Sequence, residues 1–331
     1  MRFHSLFARR RAPRAPTHTR LRRAAHAALA LLLAASGSAR ADGWLGWTRA
    51  APGDTLALNV PADALILGGG FLLWGGSQAL RGAVGPQACN LCDGVDNLGL
   101  PGEPGDGRGS LNGVDAFFHD ALTGWLVSRK TADTTSNILA YGLVPVGAVA
   151  AAFFATGPRA SDWAGARAGV IVLESLAVGG LAGQVLKFGL ARKRPFIRYG
   201  HGTDGSTSAE GSAFDVNDPD SHFSFVSGHA EATAAVTISA AMCATMQDSP
   251  AAPYLWAGAG TLTVVTGTLR MIAEKHYFTD VLGGVAIGAA AGVLIPWLHR
   301  SGGLLGTDGD GSLQLSFAGG SKLGVTWSRP I

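Results

Sequence analysis

Six long apolar segments alternate with polar stretches along the chain, at residues 60–80, 134–158, 168–186, 230–247, 249–269 and 281–298. Segments 134–158, 249–269 and 281–298 carry no charged residue. The other three carry one each: Asp63, Glu174 and Glu231. At about 1.5 Å per residue, runs of this length reach roughly 30 Å, the thickness of a bilayer's hydrocarbon core. Ala, Leu and Gly dominate and no period-2 alternation is present, so the pattern predicts helices rather than strands. The expected architecture is all-α: a bundle of about six apolar helices, embedded in a membrane. A soluble bundle with a large core is the alternative, because the segments are rich in small residues that suit close packing in either solvent. Near the C-terminus, Leu313-Gln-Leu315-Ser-Phe317 alternates and, after Gly319-Gly320, so does Leu323-Gly-Val325-Thr-Trp327. A small β-hairpin is expected there.

Composition agrees with a large core and excludes disorder over most of the chain. Of 331 residues, 47% are hydrophobic and only 15% charged. The formal net charge of +3 hides an asymmetry. Residues 1–41 hold nine Arg and no acidic residue; the remainder holds 17 basic and 23 acidic residues. A nucleic-acid partner is therefore not expected. The N-terminus instead has the three parts of an export signal. An Arg-rich stretch is followed by an apolar run from Ala24 to Ala35, then by the small residues Ala39 and Ala41 at an A-x-A cleavage position. The expected organisation is a signal peptide at 1–41, a first apolar helix and a polar Gly-rich region at 42–133, a helical core at 134–300 and a tail at 301–331. Cys89 and Cys92 form a C-x-x-C in the Gly-rich region, and in an exported protein this reads as a small-loop disulfide. Cys243 lies in an apolar run and reads as a buried thiol.

The chemistry concentrates in three clusters. The first, Lys187 to Pro195, ends the segment 168–186. Lys187 and Arg194 stand seven apart, which on a continuing helix puts two cations on one face. The second, Ser227-Gly228-His229, opens the segment 230–247, where free backbone amides and a hydroxyl suit an anion and His229 can change protonation near neutral pH. The third runs from Arg270 to Asp280. Its His276 and Asp280 are i, i+4, so a carboxylate is expected beside the imidazole to set its tautomer. Antiparallel packing brings the end of 168–186, the start of 230–247, the end of 249–269 and the start of 281–298 to one side. Three cations, a helix N-terminus and two imidazoles then converge, a set suited to a phosphate-like oxyanion.

These motifs resemble the type 2 phosphatidic acid phosphatases, which share their site with the vanadium-dependent haloperoxidases. The family pattern is K-x6-RP, then PSGH, then SR-x5-H-x3-D. Here it stands as Lys187-x6-Arg194-Pro195, Val226-Ser227-Gly228-His229 and Leu269-Arg270-x5-His276-x3-Asp280. Val226 replaces Pro and Leu269 replaces Ser; both flank the reactive groups. The resemblance implies that His276 attacks phosphorus to form a phosphohistidine, that Asp280 orients it and that His229 protonates the leaving oxygen. It also implies that Lys187, Arg194, Ser227, Gly228 and Arg270 hold the phosphoryl oxygens. No metal cofactor is expected, because the cations already supply positive charge.

The expected activity is metal-independent hydrolysis of lipid phosphomonoesters or pyrophosphates. The expected partners are the lipid substrate and membrane lipids, with no obligate protein partner. A soluble periplasmic acid phosphatase, a haloperoxidase holding vanadate and a silent anion-binding membrane protein are the alternatives. The expected location is the inner membrane with the site facing the periplasm. Six full spans starting outside at residue 42 put Lys187 on the cytoplasmic side, so a periplasmic site requires one segment to stop short. The candidate for this is 60–80, with its Gly68-Gly69-Gly70 and Gly75-Gly76 breaks. Glu174 and Glu231 match no motif position, and carboxylates in apolar segments are costly enough to point to function. Glu231, two residues after His229, is a candidate support for the site; the alternative is that each carboxylate faces a polar interior or pairs with a cation.

Overall fold

Each of the six apolar segments forms a helix. The computed structural model describes residues 54–86, 90, 111–157, 160–203 and 211–306, together with two strands, 312–318 and 322–328. The expected signal peptide and the C-x-x-C of Cys89 and Cys92 lie outside the described residues. Helix α1 spans Val60–Ala79 and is capped by the Asn59 side chain, which accepts from the amide of Ala62. Helix α2, Gly113–Leu122, opens on Asn112. Helix α3, Arg129–Ile138, continues through one π-helical turn, Leu139–Leu143, into α4, Val144–Phe154, making one rod that starts five residues before the uncharged run. Helices α5 (Ala164–Leu190), α6 (Gly228–Met246), α7 (Ala252–Ile272) and α8 (Phe278–Leu298) complete the bundle. The C-terminal hairpin is present: β1, Ser312–Ala318, pairs antiparallel with β2, Lys322–Ser328, with Leu315 opposite Val325.

Helix α6 is the axis of the fold. It packs against α4, α5, α7 and α8 and is buried on nearly all sides, which explains its run of Ala, Ser and Thr. Helix α8 approaches most closely, through a ladder of glycines four apart. A Cβ at Gly284, Gly288 or Gly292 would run into the carbonyls of Ser227, Glu231 and Ala235 in turn. Ile171, Val172, Leu176, Val236, Ala240 and Cys243, a buried free thiol, form the heart of the core.

The outside of the bundle is apolar as well. Val146 is 71% exposed, Phe154 80% and Val264 68%. Large apolar side chains of this exposure face lipid rather than water. The rod Arg129–Phe154, α5 and α8 are each long and apolar enough to cross a membrane. The exposed Trp163, Tyr254, Trp256 and Trp297 all lie at the same end of the bundle, as an interfacial aromatic belt does. These features mark the chain as a membrane protein.

Two expectations are corrected. The glycines of 60–80 do not break α1, because a helix packed against a neighbour tolerates glycine at about 1 kcal/mol each. Helix α1 runs the length of the bundle beside α5. Asp63 in its first turn meets His299 at the aromatic end, and Arg81 just beyond it pairs with Asp218 at the other end, at 3.1 Å. The segment therefore reaches both ends of the bundle, and it is not one of the three helices among the described residues that are long and apolar enough to cross a membrane. The second correction concerns α5, which ends at Leu190 with Ala191 in a left-handed conformation, φ 41°. Arg194 lies beyond the helix, so it does not share a helical face with Lys187. It reaches the same place by a turn of the chain.

Candidate active site

The three motif clusters meet at the end of the bundle opposite the aromatic belt. Lys187 comes from the last turn of α5, Arg194 from the loop after it, Ser227, Gly228 and His229 from the start of α6, Arg270 from the last turn of α7, and His276 and Asp280 from the start of α8. All of these side chains are buried.

His276 lies just before α8 and is held at both ring nitrogens. Nδ1 is 2.6 Å from the carbonyl oxygen of Ser224, which only accepts, so Nδ1 carries the proton. Nε2 then presents its lone pair, and Arg194 Nη1 lies 3.1 Å from it. Burial, followed by the charges of Arg194, Arg270 and Lys187, holds this imidazole well below its usual range, which favours its neutral form near pH 7. The expected direct contact with Asp280 is absent as a hydrogen bond: its Oδ2 is 3.9 Å from Nδ1. Helix α8 begins at Phe278, and Asp280 turns to cap it, accepting from the amide of Tyr277 at 2.9 Å. The same oxygen accepts from the Ser224 hydroxyl at 2.5 Å, and Oδ1 accepts from Arg192 at 2.6 Å. Asp280 therefore orients His276 through Ser224, one residue removed.

His229 donates from Nε2 to the Asn137 carboxamide oxygen at 2.5 Å, and the Tyr141 hydroxyl lies 3.4 Å from Nδ1. Nδ1 is thus the ring atom left to give or take a proton. Asn137 is in turn oriented by Asp133, which also binds Arg270 at 2.7 Å. Arg194 is clamped by Asp220, at 2.8 Å. Burial disfavours the Asp220 carboxylate, but Arg194, Lys187 and Lys275 outweigh it and hold the carboxyl well below its usual range.

The cations are therefore pre-positioned with donor capacity left over. Two buried donors, Ser227 Oγ and Arg270 Nε, have no hydrogen-bond partner among the described residues. Ser227 stands at the N-cap of α6 but makes no side-chain capping bond. Gly228 keeps the helix N-terminus open beside the Lys187 ammonium, 3.5 Å from where a Cβ would lie. Unsatisfied donors, helix amides and guanidinium groups around a neutral imidazole form a preorganised oxyanion cradle.

The structure brings together every motif residue expected at the site. The sequence reading passed over their supports: Asp115, Asp133, Asn137, Tyr141, Arg192, Asp220 and Ser224. Asp133, Asn137 and Tyr141 stand four apart at the mouth of an uncharged run, a polar helical stripe that was there to be read. Glu231 is buried against Gly179 and Gly183 of α5, with Oε1 unpartnered among the described residues; it makes no hydrogen bond to His229. Val226 is wholly buried and Leu269 packs with Ala132 and Ile272, so the two departures from the motif serve packing.

Two imidazoles at a cationic cradle in an all-α bundle form a site suited to a phosphate-like oxyanion. Residues 168–302 match the model of the PAP2 superfamily, so the helical core that carries the site is similar to that family. No curated protein matches it significantly. Among solved structures, the chain is similar to the first transmembrane PAP2 type phosphatidylglycerolphosphate phosphatase from Bacillus subtilis. Identity is 19%, with 70% of this chain and 93% of that chain covered, at a TM-score of 0.38.

Proposed function

We propose that the protein hydrolyses lipid phosphomonoesters or pyrophosphates through a phosphohistidine on His276, without a metal ion. The observation that carries this reading is the state of His276: neutral, fixed at Nδ1 by Ser224 and aimed through Nε2 into the cationic cradle. The Nε2 lone pair forms the bond to phosphorus as the bond to the lipid oxygen breaks. His229, neutral at rest, takes up a proton at Nδ1 together with the bound phosphate monoanion and gives it to that oxygen, a contribution of typically 10²- to 10⁴-fold. Lys187, Arg194, Arg270, Ser227 and the Gly228 amide stabilise the equatorial oxygens. Water, deprotonated by His229, then cleaves the N–P bond and releases phosphate.

A lipid substrate is favoured by an apolar cavity of about 220 Å³ between α4, α6 and α7. Leu139, Leu143, Val144, Ala148, Leu255 and Leu262 line it. Leu139 and Leu143 bound the π-helical turn that carries Tyr141, the residue against His229.

The test is phosphate release in detergent from a panel of lipid phosphates and one water-soluble ester, with chelator present, for wild type and His276→Ala. Release from lipids that vanishes in the variant is expected. Release from the soluble ester alone overturns the lipid reading, and full activity in His276→Ala overturns the mechanism.

A further inference from the structure

At the end of the bundle away from the phosphate pocket, three ionisable side chains are sunk together among apolar helices. Asp63 belongs to the first turn of α1, Glu174 to the middle of α5, and His299 caps the C-terminus of α8. Glu174 and His299 are wholly buried and Asp63 nearly so. Helix α8 separates them from His276 by about 30 Å at 1.5 Å per residue. They take no part in the chemistry above.

The imidazole of His299 has a fixed tautomer. Nδ1 lies 2.8 Å from the Ile295 carbonyl oxygen and must donate to it. Nε2 therefore turns its lone pair toward Asp63 Oδ1 at 3.1 Å and Glu174 Oε2 at 3.0 Å. A backbone carbonyl on one ring nitrogen and carboxylates facing the other is the arrangement of a metal-ligating histidine. Asp63 Oδ2 and Glu174 Oε1 are buried with no hydrogen-bond partner among the described residues. One ligand atom from each of the three residues lies within 4.8 Å of the others.

A lone pair facing two carboxylates demands a positive charge between them. A proton on Nε2 alone leaves the buried group with one net negative charge, a costly state in an apolar interior, and without a metal neutrality takes a second proton shared between the two carboxyls. A divalent cation on the three ligands brings the net charge to zero. Tetrahedral zinc with bonds near 2.0–2.1 Å sets its ligand atoms about 3.3 Å apart, close to the 3.1 and 3.0 Å that separate His299 Nε2 from Asp63 and Glu174.

We propose that Asp63, Glu174 and His299 form a binding site for a divalent transition-metal cation of the zinc type. The cation ties α1, α5 and α8 together at this end. It also anchors the segment 54–58, whose Ala57 amide bonds the His299 carbonyl at 2.9 Å. Its role is structural.

The test uses full-length protein in detergent, stripped with chelator, reloaded with zinc or with magnesium, freed of excess metal and assayed for bound metal by mass spectrometry. One equivalent of zinc and no magnesium is expected for wild type. At zinc 100 times the dissociation constant, the unfolding midpoint rises by roughly 5–10 °C. Glu174→Gln, which keeps side-chain size, loses both the zinc and the rise while retaining helix content and phosphate release. Absence of zinc from wild type overturns the proposal. So does zinc retained equally by Glu174→Gln, which assigns it to another group such as His119, His201 and Glu274. A ¹⁵N spectrum showing a doubly protonated His299 in the presence of saturating zinc also overturns it.

Discussion

Replacing Asp280 by Asn is the sharpest probe of how the nucleophile is held. The side chain accepts from Arg192 at 2.6 Å, from Ser224 Oγ at 2.5 Å and from the Tyr277 amide at 2.9 Å. Three donors face two carboxylate oxygens, whereas an amide offers one oxygen and one NH₂. If the NH₂ faces Arg192, one charge-assisted bond becomes a donor–donor contact. If it faces the other side, two bonds are lost. A hydrogen bond to a charged group is worth about 1.5–3 kcal/mol, and breaking a buried ion pair costs about 3–5 kcal/mol. Arg192 keeps Asp115 at 2.9 Å, which limits the damage. The net loss of stability is about 2–4 kcal/mol, or roughly 5–12 °C in midpoint for a domain of this size. The catalytic loss follows from Ser224, which Asp280 holds and whose carbonyl fixes His276. Misplacement worth about 3 kcal/mol in the transition state lowers kcat by about 100-fold. KM changes little, because the phosphate-binding cations are not touched. The assay is steady-state phosphate release alongside a thermal melt, repeated for Ser224→Ala and for the double variant. If Asp280 acts through Ser224, the double variant is scarcely worse than Asp280→Asn alone. Fully additive effects, or Asp280→Asn within twofold of wild type in both assays, refute the reasoning.

Three further outcomes are expected. Gly288→Leu drives a side chain into the backbone of α6 at Glu231 and lowers stability by about 1–3 kcal/mol or more, read as an earlier thermal transition, whereas Gly260→Leu at an exposed position has little effect. Glu274 is wholly buried; burial opposes its ionisation, but bonds from His119, His201 and Arg129 bring its pKa down to about 2 from 4.5. Its folded-state pKa lies below the unfolded one, so its stabilisation of about 3 kcal/mol is complete above pH 4.5 and fades as pH falls toward 2; Glu274→Gln flattens that part of the pH–stability curve. The full-length α1 puts Asp54 and the active site at opposite ends of the bundle, so with six spans an N-terminus cleaved after Ala41 and outside labelling of Gly205→Cys exclude each other. Mass spectrometry of the mature protein and an impermeant thiol reagent, in a Cys89→Ser, Cys92→Ser background, check this; both together contradict a six-span bundle.

The helices were legible because uncharged runs such as 134–158 and 249–269 admit no other structure, and the reactive residues because their motifs fall at helix ends. What lay hidden was long-range pairing. Asp133 and Arg270 are 137 positions apart, and Arg192 and Asp280 are 88 apart. Nothing in local periodicity joins such pairs. Spacing also misled where a helix boundary moved. Lys187 and Arg194 were placed on one helix that ends at Leu190, and His276 and Asp280 on one that starts only at Phe278. In both cases the side chains still converge, but through loops and caps rather than a shared face. The continuity of α1 through its glycines was hidden for a related reason: packing against α5 overrides intrinsic propensity.

The central claim is that His276 carries the phosphoryl group. Acid-labile, base-stable phosphate on a peptide is the signature of phosphohistidine. The decisive measurement is to mix the enzyme with a ³²P-labelled lipid phosphate, quench with base within the first turnover and map the label by peptide mass spectrometry. Label on the peptide containing His276, absent from His276→Ala and accumulating in a His229 variant that hydrolyses it slowly, is the expected result. Label on another residue, or turnover without any labelled peptide in an enzyme whose His276→Ala variant remains active, contradicts it.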